Sequence, residues 1–409
     1  MLSKLVIEQV IGSQKERLNQ IDTGLKREVP DFTAFARHAL IISGIRRCGK
    51  STLLQQINKT FTDQTLYLNF EDPRLAGFDI NDFNRLHEII TAKGIYVLFF
   101  DEIQNIEKWE NFVRFRLDEK YKVFITGSNA SMLSRELGTK LTGRHISKEL
   151  FPFSYSEYLA FTGESAGTKS ADGYRQTGGF PERLKTGMPE VMMNIFNDIV
   201  VRDIALRYNV KNTSVLQQLA VWLISNTGKP ISGNNLRKLF SIGSSSSIME
   251  YLSHFSDAYL FFLIPRFSYS QKVQIVNPRK VYAIDNGLIE ANSVSFSNDN
   301  GHLLENMVYM HLRRQTREIY YYAEKKECDF VVFEKGKLSG LYQVCWQLDR
   351  DNLDRELAGL TEAMDFFNVN EGVVITHDQS DSFTKDVKTI TLVPFYEWAS
   401  GRAPLKKSS

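Results

Sequence analysis

The chain has 409 residues, and its 50 Lys and Arg side chains nearly balance its 48 Asp and Glu side chains, leaving a net charge of +2. Hydrophobic residues make up 43% and charged residues 24%, as in globular proteins. This length favours roughly two to four domains. The charge balance argues against a protein that coats nucleic acid over its whole surface, while a local basic face stays compatible with it.

The cysteine content and the apolar runs predict a cytoplasmic protein without a membrane segment. Cys48, Cys328 and Cys345 are far apart and odd in number, so neither a disulfide framework nor a C-x-x-C metal site is expected. The charged N-terminus does not resemble a secretory signal. The longest apolar runs, residues 95–100 and 259–265, fall far short of the roughly 20 residues that a membrane helix needs.

Residues 38–52 predict a nucleotide phosphate cradle. An apolar strand precedes Gly44, and Gly49, Lys50 and Ser51 complete the G-x-x-x-x-G-K-[ST] spacing at the start of a predicted helix. The glycines let backbone N–H groups wrap the phosphates, Lys50 reaches the β- and γ-phosphates, and Ser51 offers its hydroxyl to Mg²⁺. The predicted nucleotide-binding residues are Gly44, Ile45, Arg46, Arg47, Cys48, Gly49, Lys50, Ser51 and Thr52.

Further strands around this loop predict an α/β fold. Residues 65–70 favour a strand, and residues 95–100 and 122–127 are apolar runs separated by helical segments, the pattern of a buried parallel sheet that is doubly wound. Asp101 and Glu102 follow the second run. We expect Asp101 to hold Mg²⁺ through its water shell and Glu102 to orient and deprotonate the attacking water.

Motifs along most of the chain resemble a prokaryotic AAA-type P-loop ATPase family with a C-terminal domain of the DUF4143 type. The motifs that carry the resemblance are Ser43-Gly-Ile-Arg-Arg-Cys-Gly-Lys-Ser-Thr52, Phe100-Asp-Glu-Ile-Gln104, Thr126-Gly-Ser-Asn129, Leu141-Thr-Gly-Arg144, Phe151-Pro-Phe-Ser154, Gly178-Gly-Phe-Pro181, Tyr282-Ala-Ile-Asp-Asn-Gly-Leu288 and Leu304-Glu-Asn306. The resemblance implies ATP binding and hydrolysis with Mg²⁺. It also implies that Ser128 or Asn129 senses the γ-phosphate and that Arg144, from the same or a neighbouring subunit, neutralises charge in the transition state.

The predicted organisation has five segments: a helical lead-in (1–29), a P-loop ATPase core (30–153), a helical lid (154–212), a winged-helix-like domain (213–299) and a nuclease-like domain (300–409). A loop is expected at residues 167–173 and a strand at residues 272–276. The candidate recognition helix, residues 244–255, contains neither Lys nor Arg, so protein packing is favoured over DNA contact, which stays open.

The last segment resembles a PD-(D/E)XK nuclease in which half of the active site is missing. In an active member, carboxylates at the positions of Glu305, Asp329 and Gln343 bind Mg²⁺, and a lysine at the position of Cys345 helps to activate water. Gln343 is neutral and a poor Mg²⁺ ligand, and Cys345 cannot replace a cationic lysine. We therefore expect an α/β nuclease-like domain without nuclease activity, in which Glu305 and Asp329 serve structural hydrogen bonds.

These patterns favour a Mg²⁺-dependent ATPase whose nucleotide state moves the winged-helix and nuclease-like domains. An ATP-regulated nuclease and an ATP-binding regulator of DNA or protein with negligible turnover are the alternatives. A homo-oligomer is compatible with the position of Arg144. The sequence does not identify a protein partner.

Overall fold

The computed structural model describes residues 1–20, 22–27, 38–62, 64–130, 141, 143–294, 299–385 and 387–401. The chain divides into two compact units, one formed by residues 1–151 with 257–259 and the other by residues 152–256 and those from 260 onward. Pro30, where the lead-in was expected to end, lies outside the described residues, as do Thr142 of the Leu-Thr-Gly-Arg motif and the polar tail from Arg402. The five segment boundaries stay predictions.

The first unit is built on a five-stranded sheet in the order β2-β3-β4-β1-β5, and every neighbouring pair of strands is parallel. The parallel sheet with helices expected for a P-loop NTPase is therefore confirmed. Its strands are β1 Ala39–Ser43, β2 Thr65–Asn69, β3 Val97–Asp101, β4 Lys122–Gly127 and β5 His145–Glu149, and its helices are α1 Lys4–Gln20, α2 Lys50–Asn58, α3 Asp82–Ala92 and α4 Trp109–Asp118, with 3₁₀ turns at Pro73–Leu75 and Ile103–Asn105.

Strands β1 and β3 are buried along their whole length, which explains their unbroken apolar sequences. The carboxyl ends of β1, β3 and β4 meet at one edge of the sheet. This edge therefore brings together the residues that follow these three strands in the sequence.

The helix α1 closes the β2 edge of this sheet. Ile7, Val10 and Ile11 belong to the same apolar core as Leu66 of β2. Gln14 adds a polar clamp, because its Oε1 accepts from the backbone N–H of Asn69 at 2.8 Å and its Nε2 donates to the Asn69 carbonyl at 3.2 Å. The amide thus satisfies backbone groups that an edge strand would otherwise expose.

The second unit contains a three-stranded sheet in the order β6-β8-β7 and a six-stranded sheet in the order β13-β14-β12-β11-β10-β9. The strands are β6 Pro230–Ile231, β7 Phe261–Pro265, β8 Arg279–Ala283, β9 Ile319–Ala323, β10 Glu327–Glu334, β11 Lys337–Val344, β12 Glu371–Thr376, β13 Asp381–Lys385 and β14 Lys388–Pro394. The helices are α5 Tyr155–Thr162, α6 Thr168–Thr177, α7 Pro181–Thr186, α8 Glu190–Asp198 with a π-helical continuation Ile199–Leu206, α9 Thr213–Ser225, α10 Gly233–Leu239, α11 Ser245–Asp257, α12 Gln271–Val276, α13 Asn286–Asn292, α14 Asn300–Arg313, α15 Leu353–Phe367 and α16 Phe395–Ala399.

Two local predictions were wrong. The loop expected at residues 167–173 is the beginning of α6, because Ser170 accepts from the backbone N–H of Gly167 at 3.1 Å and Tyr174 is buried one turn later. The strand expected at residues 272–276 is the short helix α12. Gln274 Nε2 donates to the Ser268 carbonyl at 2.7 Å, which closes the turn locally.

Three motifs of the sequence resemblance meet in one buried hydrogen-bond cluster of the second unit. Asp285 accepts from the backbone N–H of Gly179 at 2.7 Å and of Gly287 at 2.8 Å. Asn306 donates through Nδ2 to Asn286 Oδ1 at 2.8 Å. Burial raises the pKa of Asp285 to about 7, against the lowering effect of its backbone donors. Residues from the three motifs therefore pack together at one site.

Among the described residues, no helix combines the length and the apolar character needed to cross a bilayer.

Two glycines on helices offer a matched test of the packing. A Cβ at Gly359 of α15 would lie 1.8 Å from the Glu327 carbonyl oxygen, whereas a Cβ at Gly12 of α1 would meet nothing within 4 Å. We expect Gly359→Ala to destabilise the protein by about 3 kcal/mol through backbone overlap. Gly12→Ala is expected to stabilise its helix by about 0.5 to 1 kcal/mol. Denaturant unfolding of both variants checks this, and equal effects of the two would contradict the packing of α15.

Candidate nucleotide-binding site

The loop between β1 and α2 has the backbone of a tight cradle. Gly49 has a φ of 103° and Arg47 a φ of 62°, so the chain passes twice through the left-handed region. A Cβ at Gly44 would lie 2.1 Å from the Leu150 carbonyl oxygen. A glycine is therefore required at position 44 for the close approach of two backbone segments, and at position 49 for the turn into α2.

Lys50 and Glu102 form a buried ion pair beside this loop. Lys50 Nζ lies 3.5 Å from Glu102 Oε1 and donates to the Ile45 carbonyl oxygen at 3.1 Å. Only 4% of Lys50 is exposed. Glu102 itself has a φ of 53°, and its carboxylate also accepts a hydrogen bond from Gln104. The two residues predicted to act on the γ-phosphate and on water thus lie together at the carboxyl edge of the sheet.

Asp101 is fully buried, and its carboxylate accepts hydrogen bonds from side chains on the neighbouring strands β2 and β4. Its Oδ2 accepts from the Tyr67 hydroxyl at 2.6 Å and from Asn69 Nδ2 at 3.3 Å, and its Oδ1 accepts from the Thr126 hydroxyl. The Ser51 hydroxyl lies near enough to this carboxylate to favour a lower pKa of Asp101. The serine and aspartate that the sequence assigned to Mg²⁺ therefore lie beside each other.

The two adjacent carboxyl groups have opposite pKa shifts. Burial, followed by the charge of Glu102, raises the pKa of Asp101 above its usual value. Burial also works against ionisation of Glu102, but Lys50, Gln104, Arg46 and Ser128 together outweigh it and hold the pKa of Glu102 below its usual value. Glu102 is thus ionised at neutral pH.

The oxygen donors fit a small divalent cation. Ser51 Oγ and the Asp101 carboxylate are hard ligands, and a Mg²⁺ ion in such sites takes one or two protein ligands and completes its shell with phosphates and water. Among the described residues, no cluster of three or more His, Cys, Asp or Glu side chains is arranged to hold a metal ion by protein ligands alone. A cleft of about 510 Å³ lies beside these groups and is lined by Ser51, Tyr67, Asn69 and Gln14.

The remaining predicted site residues divide into two groups. Ser128 and Asn129 are buried directly after β4, and the Ser128 side chain hydrogen-bonds to Glu102. Arg144 is elsewhere: its carbonyl accepts from the N–H of Ala39, at the amino end of β1, and its guanidinium pairs with Asp118. The structure therefore does not bring Arg144 to the P-loop of its own chain.

Two residues that the sequence did not single out brace the P-loop. Arg27 donates to the Cys48 carbonyl at 2.8 Å and to the Phe151 carbonyl at 2.7 Å. Tyr259 has a φ of 62°, and its hydroxyl lies 2.7 Å from Ser43 Oγ, directly before Gly44. A left-handed conformation is strained for a bulky aromatic residue. Neither residue belongs to a recognisable motif, so no sequence signal marked them.

The four residues predicted for a nuclease-like site do not all meet. Glu305 and Asp329 are linked through Lys280, which the sequence prediction missed. Gln343 accepts from the Asp329 backbone N–H at 3.3 Å. Cys345 turns away, since its Sγ donates to the Gln347 carbonyl at 3.2 Å, and burial raises its pKa to about 11.

The parallel sheet, the P-loop after β1 and the carboxylates after β3 define the first unit as a P-loop NTPase domain. A family model described as an AAA domain matches residues 36–159. A second model, for a domain of unknown function (DUF8612), matches residues 168–298, so the domain found in that region is DUF8612 rather than the expected DUF4143.

The chain is also similar to two relatives over most of its length. Uncharacterized protein MJ1544 of Methanocaldococcus jannaschii is 35% identical over 428 residues, which cover 97% of this chain and 95% of that protein. An uncharacterized protein of Haemophilus influenzae is 30% identical over 345 residues, covering 76% and 85% of the two chains. The chain therefore belongs to the same family as these two proteins.

A solved structure of RuvB from Thermotoga maritima matches with 15% identity over 64% of this chain and 89% of that chain, at a TM-score of 0.30. A TM-score this low supports no argument about the fold or the function of this chain.

Proposed function

We propose that the protein is a Mg²⁺-dependent ATPase whose nucleotide state drives a conformational switch. The observation that carries the proposal is the buried pair of Lys50 and Glu102 at the mouth of the P-loop, with Asp101 and Ser51 beside it. A phosphate-binding lysine, a metal-side carboxylate and an ionised carboxylate for water are the parts that ATP hydrolysis requires.

In this proposal the γ-phosphate of ATP replaces Glu102 as the ion-pair partner of Lys50. The phosphate is the stronger anion, and the ammonium moves by a rotation of its flexible stem. Glu102 is then free to accept a proton from the attacking water, while Ser128 and Gln104 keep its carboxylate oriented. Ser51 would offer its hydroxyl and Asp101 its carboxylate to the Mg²⁺ ion. When bound, the metal ion neutralises the charge that develops on the phosphates.

Substitutions of Lys50 and Glu102 should impair different steps, ATP binding and ATP hydrolysis. Lys50→Ala is expected to weaken ATP binding on the order of 100-fold, because it removes a buried charge-assisted contact. Glu102→Gln is expected to retain binding and to lower kcat on the order of 10² to 10⁴-fold. Nucleotide titration and steady-state turnover measure the two effects. Lys59→Ala and Glu107→Gln, the same changes at exposed positions, are the controls, and full turnover in Glu102→Gln would refute the assignment.

Arg144 serves a neighbouring subunit in this proposal. Its backbone lies at the amino end of β1, whereas the P-loop follows the carboxyl end, roughly 13 Å away along the strand. The side chain is about half exposed, and its ion pair with Asp118 is also exposed, so releasing it costs little. An arginine at this edge is therefore available to a second copy of the chain.

Mixed oligomers test this role. We expect Arg144→Ala to lower turnover on the order of 10³-fold. Mixing it with Lys50→Ala should recover part of the activity, because one subunit then supplies an arginine and the other an intact P-loop. Turnover per chain should also rise with protein concentration. Concentration-independent turnover and a monomer in sedimentation would contradict the role in trans.

The switch is transmitted, in this proposal, through the groups that brace the P-loop. Arg27 links the loop at Cys48 to Phe151, the last residue before the chain enters the second unit. Tyr259 belongs to the three-residue segment 257–259 that returns to the first unit, and it hydrogen-bonds to Ser43. The residue before the first crossing and the returning segment 257–259 are thus both hydrogen-bonded to groups next to the P-loop.

Removal of the Tyr259 hydroxyl tests the coupling. Tyr259→Phe should change ATP affinity by no more than about fivefold, since one neutral hydrogen bond contributes about 1 kcal/mol. It should nevertheless diminish the nucleotide-dependent change in amide hydrogen exchange of residues 152–256. Tyr251→Phe, the same change on α11, is the control. An unaltered exchange response in Tyr259→Phe would contradict this path.

The appended elements support two further assignments. The sequence α9, β6, α10, α11, β7, β8 with sheet order β6-β8-β7 supports the winged-helix assignment. The order α14, three antiparallel strands, α15 and then β12, with Glu305 and Asp329 near each other, supports a nuclease-like ancestry. The neutral Gln343 and the diverted Cys345 support its inactivity as a nuclease.

A further inference from the structure

A cleft of about 470 Å³ in the second unit follows the outer edge of strand β7. In the sheet order β6-β8-β7 this strand is paired with β8 on one side and is the last strand on the other. Residues 262–265 line the cleft as an unbroken run. Successive side chains of a strand point to opposite faces of its sheet. A cleft lined by consecutive residues therefore lies alongside the strand and not on one face of it.

The hydrogen-bond pattern shows which backbone groups of β7 point to this outer edge. The N–H of Ile284 donates to the Leu260 carbonyl at 3.2 Å, whereas Val281, the partner of Leu263, bonds away from β7 to residues 228 and 229. Bonded and non-bonded pairs alternate along an antiparallel ladder. The N–H and C=O of Leu263 therefore point away from β8, to the outer edge of the sheet.

The first residues after β7 already use this edge to contact another strand. The N–H of Phe267 donates to the Tyr321 carbonyl of β9 at 2.7 Å, and Arg266 forms a parallel bridge with Tyr321. Ile319, the first residue of β9, lines the cleft. An extended segment in the cleft would thus continue the line of β9 along the edge of β7.

Three arginines from different parts of the chain surround this edge. Arg279 begins β8, Arg313 ends α14, and Arg317 lies between α14 and β9. Among the described residues that line the cleft, none is acidic. The Arg313 guanidinium lies 5.3 Å from the centre of the Phe262 ring. The guanidinium fork matches the two oxygens of a carboxylate, so this lining favours an acidic ligand.

We propose that the cleft binds an extended acidic peptide segment of a partner protein. The peptide pairs through its backbone with the edge of β7 and places Asp or Glu side chains on the arginines. Leu252 and Tyr309, both buried, also line the cleft and receive an apolar side chain of the peptide. The strand edge favours a peptide over a nucleic acid, which has no row of N–H and C=O groups to pair with it. This inference goes beyond ATP hydrolysis and concerns the second unit alone.

Selection from a random heptapeptide library on the full chain tests the chemistry of the ligand. We expect the selected peptides to be enriched in Asp and Glu together with bulky apolar residues. A synthetic, fluorescent copy of a selected peptide is then titrated by anisotropy. Methylation of the peptide backbone nitrogen that pairs with β7 should weaken binding on the order of 10-fold, because it removes a hydrogen bond and crowds the edge.

Charge reversal in the cleft tests its place on the protein. Arg279→Glu and the more exposed Arg317→Glu should each weaken the peptide on the order of 10-fold or more. Arg202→Glu, the same change at an exposed arginine of the π-helical segment, should alter binding by no more than about twofold. Circular dichroism checks that each variant is folded, and Arg279→Lys, which keeps the charge, replaces Arg279→Glu if that variant unfolds. Arg279→Lys should also weaken binding, because a lysine lacks the planar fork.

Three results would overturn the proposal. The first is a selection without enrichment of acidic residues, and the second is a selected peptide that binds Arg317→Glu as well as it binds the unchanged protein. The third is duplex or single-stranded DNA that binds in place of the peptide and is lost in Arg317→Glu, which would assign the cleft to nucleic acid.

Discussion

The buried ion pair between Lys50 and Glu102 is the constraint on which the nucleotide site depends. Two opposite charges 3.5 Å apart attract each other with a gross energy on the order of 5 kcal/mol at an effective dielectric constant of about 20. The desolvation of each ion costs several kcal/mol, so the net gain is small. Because the attraction and the desolvation cost of this ion pair nearly cancel, little free energy is lost when the pair separates. A phosphate, which carries more negative charge than a carboxylate, can therefore displace Glu102 from Lys50. The sheet makes this possible by ending β1 and β3 at the same edge.

The carboxyl groups of Asp101 and Glu102, adjacent at the end of β3, have environments that shift their pKa values in opposite directions. Asp101 has donors on both oxygens, yet burial and the adjacent charge of Glu102 still raise its pKa. Glu102 lies one residue further, in a left-handed conformation, and the charge of Lys50 lowers its pKa. Groups whose pKa values are pushed apart are suited to separate tasks. A divalent cation near Ser51 would stabilise the ionised form of Asp101, so metal binding and deprotonation of Asp101 favour each other.

The parts of the site that lie within a motif were predictable from the sequence, and the parts assembled by tertiary contacts were not. The apolar runs before Gly44 and Asp101 predict buried parallel strands, since both faces must be apolar, and the structure has them. Arg27 and Tyr259 were missed because each acts through a partner distant in sequence. Arg144 was predictable as a motif residue, but the strand end on which it lies could be known only from the register of β5 against β1.

The two buried lysines, Lys50 and Lys280, differ in the number of carboxylates around them. The partner of Lys50 can be replaced by another anion, whereas the partners of Lys280 cannot. Lys50 faces one carboxylate and one carbonyl, so an incoming phosphate replaces an anion of lower charge. Lys280 already faces three carboxylates, and an additional anion there would be repelled while departure of the lysine would leave them uncompensated. Any movement within the second unit is therefore expected to carry β8, β10 and α14 together, because separating Lys280 from its carboxylates would leave buried charges uncompensated.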